Sequence, residues 1–197
     1  MLTQCVAAVS TLLMLAAASD LLAQTPPSKG ATDAAKPAMS DEALVKLATS
    51  AAPSDIGAKA TVVDHGQDGK PRTVRQGSNN WVCMAHPEVM CLDKNWQQWA
   101  DAWINKRAPK LSGIGIAYML QGDKGASNTD PYATASAPNN EWVVTPAHIM
   151  VLTSDPKLLD SLPTDPSSGA PWVMWKGTPY AHIMVPTVAM PARGGAK

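Results

Sequence analysis

TPAHIMV, residues 145–151, and TPYAHIMVP, residues 178–186, share the tetrapeptide His-Ile-Met-Val, and the two copies lie 34 residues apart. Side chains alternate between the two faces of a β-strand, so Ile and Val share one face in each copy while His and Met share the other. We expect the purely apolar Ile and Val face to lie in the core. If the two strands are neighbours in one sheet, their imidazoles should lie within about 5 Å of each other.

The His and Met face is the main candidate for a functional surface. Two imidazoles with two thioethers suit copper(I), which makes His148, Met150, His182 and Met184 the candidate metal ligands. A generic pocket or structural packing, with neutral histidines bonded to the backbone and methionines filling gaps, is the interpretation that we favour. In a further alternative, His148 or His182 is the general base of a small hydrolase or lyase, which requires burial and an aspartate partner.

A polar loop over residues 121–140, QGDKGASNTDPYATASAPNN, shows no periodicity. Connections of this length inside a compact domain are uncommon and are often functional. Asp123, Asn128 and Asp130 are therefore candidates for contacts to a small polar ligand. The loop lacks the acidic spacing of an EF-hand calcium loop, and the Asp-Pro pair is typical of a solvated turn.

The segment LSGIGIAYMLQG, residues 111–122, alternates bulky with small side chains. Ile and Tyr alternate with Gly and Ala, so a strand here has one bulky face and one nearly bare face. A bare face allows another element to approach the backbone closely, most simply a helix and alternatively a ligand.

KNWQQWADAWINK, residues 94–106, predicts an amphipathic helix with Asp93 as its N-cap and Pro109 beyond its end. Trp96, Trp99 and Trp103 recur at three, four and seven residues and fall on one stripe. We expect this stripe to pack in the core, and a sugar-binding or membrane-inserting surface is the alternative.

The N-terminal half predicts one more helix and a hairpin. Ser40 is a candidate N-cap for the helix over DEALVKLATSA, which Pro53 should stop. Two strand patterns flank a Gly and Asp turn at residues 66–69.

The expected fold class is α+β, a single domain with an antiparallel-rich sheet and two main helices. The predicted boundaries are a signal peptide at 1–23, a flexible lead-in at 24–39, the domain at 40–189 and a C-terminal tail at 190–197.

Two cysteines lie in NNWVCMAHPEVMCLDKNW, residues 79–96. The order of Cys83, His86 and Met90 is close to that of a blue-copper ligand loop, but Cys91 follows at once. A copper thiolate and a disulfide exclude each other at one sulfur, and we favour the disulfide Cys83–Cys91, with Cα atoms about 4.4 to 6.8 Å apart.

The N-terminus is typical of an export signal. Residues 6–18, VAAVSTLLMLAAA, form an apolar run too short to span a bilayer, and small residues up to Ala23 suggest cleavage, although Lys and Arg are absent from residues 1–28. The alternative is a buried helix of the mature fold. We expect a periplasmic or secreted protein with no stable membrane span in the mature chain.

The 16 basic and 16 acidic residues leave no electrostatic signature of a nucleic-acid partner.

No sequence motif assigns an activity. The chain has no nucleophile elbow, no His-Glu-x-x-His, no Cys-x-x-Cys and no P-loop. The runs MCLDKNW, YMLQGDKGASNTDPYAT and PWVMWKGTPYAHIMVP resemble segments of uncharacterised exported proteins of Gram-negative bacteria over residues 55–187, which implies export and one domain but no site. We favour a non-enzymatic binding module with a pocket formed by the two His-x-Met strands and the 121–140 loop. An enzyme with a histidine base and an envelope structural protein are the alternatives.

Overall fold

The two His-Ile-Met-Val segments are neighbouring antiparallel strands of one large sheet. The computed structural model describes residues 39–65 and 70–191, which belong to one compact unit. The helices in this part of the chain are α1 (Asp41–Thr49), α2 (Ser54–Gly57) and α3 (Lys94–Ile104). The strands are β1 (Thr61–His65), β2 (Pro71–Arg75), β3 (Val82–Met84), β4 (Met90–Leu92), β5 (Gly115–Met119), β6 (Ala126–Ser127), β7 (Trp142–Val143), β8 (His148–Leu152), β9 (Trp172–Met174) and β10 (His182–Pro186).

Within the described residues, eight strands form the main sheet in the order β2-β1-β3-β4-β5-β8-β10-β9. Only β1 and β3 pair in parallel, so the predicted antiparallel-rich sheet is confirmed. Strands β6 and β7 form a separate two-stranded sheet, in which β6 lies inside the 121–140 loop that was expected to be structureless and β7 follows just after it. The described chain has three α-helices instead of the expected two, because the short helix α2 follows Pro53.

The predicted helix starts are confirmed in both long helices. Ser40 Oγ accepts a hydrogen bond from the Ala43 amide at 3.2 Å. Asp93 Oδ1 accepts one from the Trp96 amide at 2.8 Å, and its second oxygen accepts from the Ile116 amide of β5 at 2.6 Å. The N-cap of α3 therefore also fixes the start of this helix against the sheet.

Helices α1 and α3 cover opposite faces of the sheet. Leu44 and Ala48 of α1 pack against the face that carries Cys83 and Cys91. On the other face α3 packs against the bare side of β5, as predicted. A Cβ atom on Gly115 would lie 3.0 Å from Asn95 Cβ and 3.2 Å from Trp96 Cδ1, so α3 sits as close to this strand as a glycine permits.

The cysteine pair is confirmed at disulfide distance. Cys83 and Cys91 lie directly opposite each other on β3 and β4, with their sulfur atoms 1.97 Å apart. Their Cα atoms are 4.0 Å apart, closer than expected, because they are cross-strand partners in an antiparallel pair. Because the Cys83 sulfur is paired with Cys91, the blue-copper arrangement does not form. His86 is exposed on the connection between the strands and lies 3.2 Å from Asp64.

The predicted core face of the His-Ile-Met-Val strands is wrong. His148 and Met150 of β8 are buried, whereas Ile149 and Val151 are only half-buried, and β10 shows the same alternation. The reason is the position of α3, whose tryptophans cover the His and Met face. Period-two alternation groups side chains by face, but it does not determine which face a helix will cover.

Several predicted segments lie outside the described residues. These are the signal peptide at 1–23, almost all of the lead-in at 24–39, the hairpin turn at 66–69 and most of the tail at 190–197. The hairpin strands themselves pair as predicted. In the part of the chain that is described, no helix combines the length and apolar composition that crossing a membrane requires.

Candidate functional site

A cavity of about 210 Å³ lies between α3 and the His and Met face of the sheet. The strands contribute a set of methionines to its lining: Met90, Met119, Met150, Met174 and Met184. Helix α3 and the turn after β9 contribute indole rings: Trp96, Trp99, Trp103 and Trp175. His148 and His182 also line the cavity, together with two carboxylates, Glu88 and Asp123.

Strand register places a thioether opposite each imidazole. Met119 of β5 pairs with His148 of β8, and Met174 of β9 pairs with His182 of β10. Between these two pairs, Met150 and Met184 face each other across β8 and β10. Four adjacent strands therefore present methionine and histidine side chains to one cavity.

The expected close pair of imidazoles does not form in the strand register. His148 is opposite Pro186, and His182 lies beyond the pair formed by Ile183 and Val151. The two histidines are thus offset by four residues, about 13 Å along the strands. Each imidazole has its own methionine partner, and the two do not face each other.

The backbone determines the tautomer of both histidines. His148 Nδ1 lies 2.7 Å from the carbonyl oxygen of Pro146, and His182 Nδ1 lies 3.0 Å from that of Tyr180. Since a carbonyl oxygen only accepts, each Nδ1 carries the hydrogen and each Nε2 carries a lone pair. In both copies of the repeat the acceptor is two residues before the histidine.

Two polar atoms of cavity-lining residues are buried without a hydrogen bond. His148 is fully buried, and its Nε2 finds no partner among the described residues. Trp99 is 5% exposed, and its indole N–H is also unpartnered in this part of the chain. A buried polar group without a partner costs about 1 to 3 kcal/mol. A ligand that satisfies the acceptor and the donor would remove this cost.

Burial keeps both imidazoles neutral at neutral pH. It lowers the pKa of His182 to about 4, although the hydrogen bond to Tyr180 opposes this shift. Burial also lowers the pKa of His148. The same cause raises the pKa of Asp123 and of Glu88. Burial in the cavity therefore disfavours the charged form of all four of these lining residues.

An aromatic wall encloses His182. Its ring meets those of Trp175, Trp96 and Trp99 nearly at right angles, with centroids 5.0, 5.3 and 5.6 Å away. Trp99 and Trp175 are parallel to within 5°. Trp175 has a φ of 57°, a backbone conformation that is unusual for a bulky residue, and its indole N–H donates to the Ser127 carbonyl at 2.6 Å. The fold tolerates backbone strain at the position that places this indole beside His182.

Of the three loop candidates, only Asp123 reaches the cavity. One of its oxygens accepts hydrogen bonds from the amides of Gly125 and Thr145, at 3.0 and 2.8 Å. Asn128 is buried elsewhere, where it donates to Thr164 and accepts from Trp172. Asp130 is exposed and caps the turn before Tyr132. Asn128 and Asp130 are thus placed where they support the loop, and the cavity does not include them.

Sequence reasoning missed Met119 and Met174 as members of the site. Alternation along β5 does place Met119 on the same face as Gly115, which was the available signal. The tryptophan stripe was predicted to be core, and Trp96 and Trp99 are indeed buried, while Trp103 is half-buried. The same stripe forms one wall of the cavity.

The described residues contain no cluster of three or more His, Cys, Asp or Glu side chains able to hold a metal, so metal binding here would require thioethers.

Comparisons with known proteins assign no family. The chain matches no protein-family model, no curated protein and no solved structure. Export and any activity stay predictions, and function is inferred from the cavity itself.

Proposed function

We propose that this protein is an exported α+β binding module, and that the cavity between α3 and the sheet receives a small, weakly polar ligand. The single observation that supports this most strongly is the cavity with two unpartnered polar atoms in its lining residues, His148 Nε2 and Trp99 Nε1. One is an acceptor and the other is a donor. Together they would orient a ligand that the indoles and thioethers bind by apolar contact.

The cavity volume limits the ligand to a small molecule. An apolar cavity of about 150 Å³ accommodates benzene, and this cavity measures about 210 Å³. A ligand of one or two rings fits that space. The lining is mostly methionine and tryptophan, so a strongly polar ligand would lose more hydration than the two polar atoms could replace.

The hydrogen bonds of the histidines favour binding over catalysis. Each Nδ1–H donates to a backbone carbonyl and not to a carboxylate, so neither imidazole has the aspartate partner that a general base would use. A pKa of about 4 also makes His182 a weak base at neutral pH. The enzyme alternative is therefore less well supported than the binding module.

Export belongs to the same proposal. The Cys83–Cys91 pair at disulfide distance is compatible with an oxidising compartment. The apolar N-terminal run is the other support. An export signal and a disulfide together correspond to a periplasmic or secreted location.

Phenol and toluene are suitable probes because they have the same ring and similar size, and phenol carries a hydroxyl group where toluene carries a methyl group. We expect both to bind, as measured by calorimetry or by tryptophan fluorescence, with phenol several times tighter because its hydroxyl can bond to His148 Nε2. Ala100→Met should fill the cavity, which Ala100 lines, and abolish binding. Gln98→Met places the same side chain on the exposed side of α3 and is the matched control. Equal binding to both variants, or no binding to wild type, would contradict the proposal.

A further inference from the structure

We propose that the cavity has a site for copper(I), formed by His148 Nε2 and the thioethers of Met119 and Met150. This inference goes beyond the proposed function, since it assigns a second ligand class, a soft monovalent cation, to the same cavity. The site differs from the sequence-based ligand set because Met119 joins it, while His182 and Met184 lie outside it.

Strand geometry brings the three donors together. Met119 is directly opposite His148, and directly opposite residues have Cβ atoms about 4.5 to 5.5 Å apart. Met150 is two residues further along β8 on the same face, a spacing of about 6.6 Å. Methionine has three rotatable bonds beyond its Cα, so both sulfur atoms can turn toward the imidazole between them.

His148 is already prepared for coordination. Metal-binding histidines usually donate their second ring N–H to a carboxylate or a backbone carbonyl, which fixes the orientation of the ring. His148 does so through Nδ1 to Pro146. Its Nε2 lone pair is buried and has no partner in the described chain, although the residue is fully enclosed. This orphaned acceptor, independent of the methionine pattern, indicates a missing ligand.

The donor types select a soft monovalent ion. Thioethers are soft ligands that suit copper(I), whereas calcium and magnesium require several oxygen ligands. Asp123, a carboxylate of the cavity lining, accepts two backbone N–H bonds and interacts electrostatically with His148. Its negative charge would compensate a single positive charge in this apolar environment.

The second copy of the repeat is a built-in comparison. His182 also has a methionine opposite, Met174, and another two residues along, Met184. However, three indoles pack edge-on around its ring, with centroids 5.0 to 5.6 Å away. The orphaned Nε2 belongs to the first copy. We therefore assign the ion to His148 and use Met174 as the control position.

The test is an anaerobic copper(I) titration of the exported protein, without the predicted signal peptide and its Cys5, against a competing chelator such as bathocuproine disulfonate. Met119→Leu and Met150→Leu remove one thioether each while keeping core volume, so the fold should persist. We expect each to weaken copper(I) binding by at least about tenfold. Met174→Leu, the matched control in the second copy, should change affinity by less than about threefold. X-ray absorption of the wild-type complex should show one nitrogen and two sulfur neighbours.

Three results would overturn the copper(I) site. These are failure of the wild type to compete with the chelator, wild-type affinity in both Met119→Leu and Met150→Leu, and loss of binding in Met174→Leu instead. The phenol and toluene titrations separate this inference from the proposed function. If the aromatic probes bind and copper(I) does not, only the copper site is wrong. If copper(I) binds as expected and the probes do not, the weakly polar ligand is wrong.

Discussion

Met119 lies directly opposite His148 across β5 and β8, although 29 residues separate them in sequence. Met119 belongs to the same buried cluster as Trp96 and Trp99 of α3, and His148 lines the same cavity as these indoles. The position of α3 therefore makes the His and Met face both the core and the wall of a cavity.

Trp99→Ala should lower the free energy of unfolding by about 3 to 5 kcal/mol, because it removes a large buried side chain from the centre of the cluster. Trp103→Ala, in the same helix but half-buried, should cost clearly less. Urea denaturation of the two variants measures the difference. Equally small losses in both variants would mean that the stripe is a surface and not a core.

Gly115→Ala should destabilise the protein by about 1 to 3 kcal/mol, because the new methyl group would lie 3.0 Å from Asn95 Cβ and 3.1 Å from Leu152 Cδ1. Gly113→Ala adds the same group where no heavy atom lies within 4 Å. Thermal and urea unfolding should therefore separate the two variants. The close contact of α3 with β5 is wrong if they are equally stable.

The protein should lose stability as the pH falls from 7 toward 4. The folded-state pKa of His182, about 4, is below the ordinary value of 6.5, so between these values the unfolded chain binds a proton that the folded protein does not. The expected loss from this group at pH 4 is roughly 3 kcal/mol, and it should be absent above pH 7. His148, whose pKa is also lowered, acts in the same direction.

His182→Asn provides the control for this prediction. Its amide N–H can replace Nδ1–H in the hydrogen bond to Tyr180, but it does not titrate. Unfolding free energies of both proteins at pH 7, 5.5 and 4 should show a shallower decline for the variant. Parallel declines would show that His182 does not carry the effect.

The purified exported protein should carry no free thiol at Cys83 or Cys91. Intact-mass analysis after alkylation without reductant should find both unlabelled, and two labelled thiols would contradict the pairing. The double variant Cys83→Ala with Cys91→Ala should be less stable by about 2.5 kcal/mol, the loop-closure value for a short disulfide loop. Unfolding of the wild type with and without reductant gives an independent value for the contribution of the disulfide to the free energy of unfolding.

Local sequence was sufficient to predict where the two long helices begin. Ser40 and Asp93 are N-caps as predicted, since a capping bond joins residues three apart in the chain. The tryptophan spacing predicted α3 for the same reason. The bare face of β5 even predicted that a helix would pack there, and Gly115 meets α3.

The sequence by itself determined which side chains share a face of each strand, because alternation follows from the geometry of one extended chain. It did not determine that the His and Met face would be covered, since α3 could have packed on either side until the whole sheet formed. Nor did it pair Met119 with His148 or Met174 with His182. Register between strands distant in sequence depends on the packing of the complete sheet. Tertiary structure therefore decided which partners the His and Met side chains of the two repeats meet.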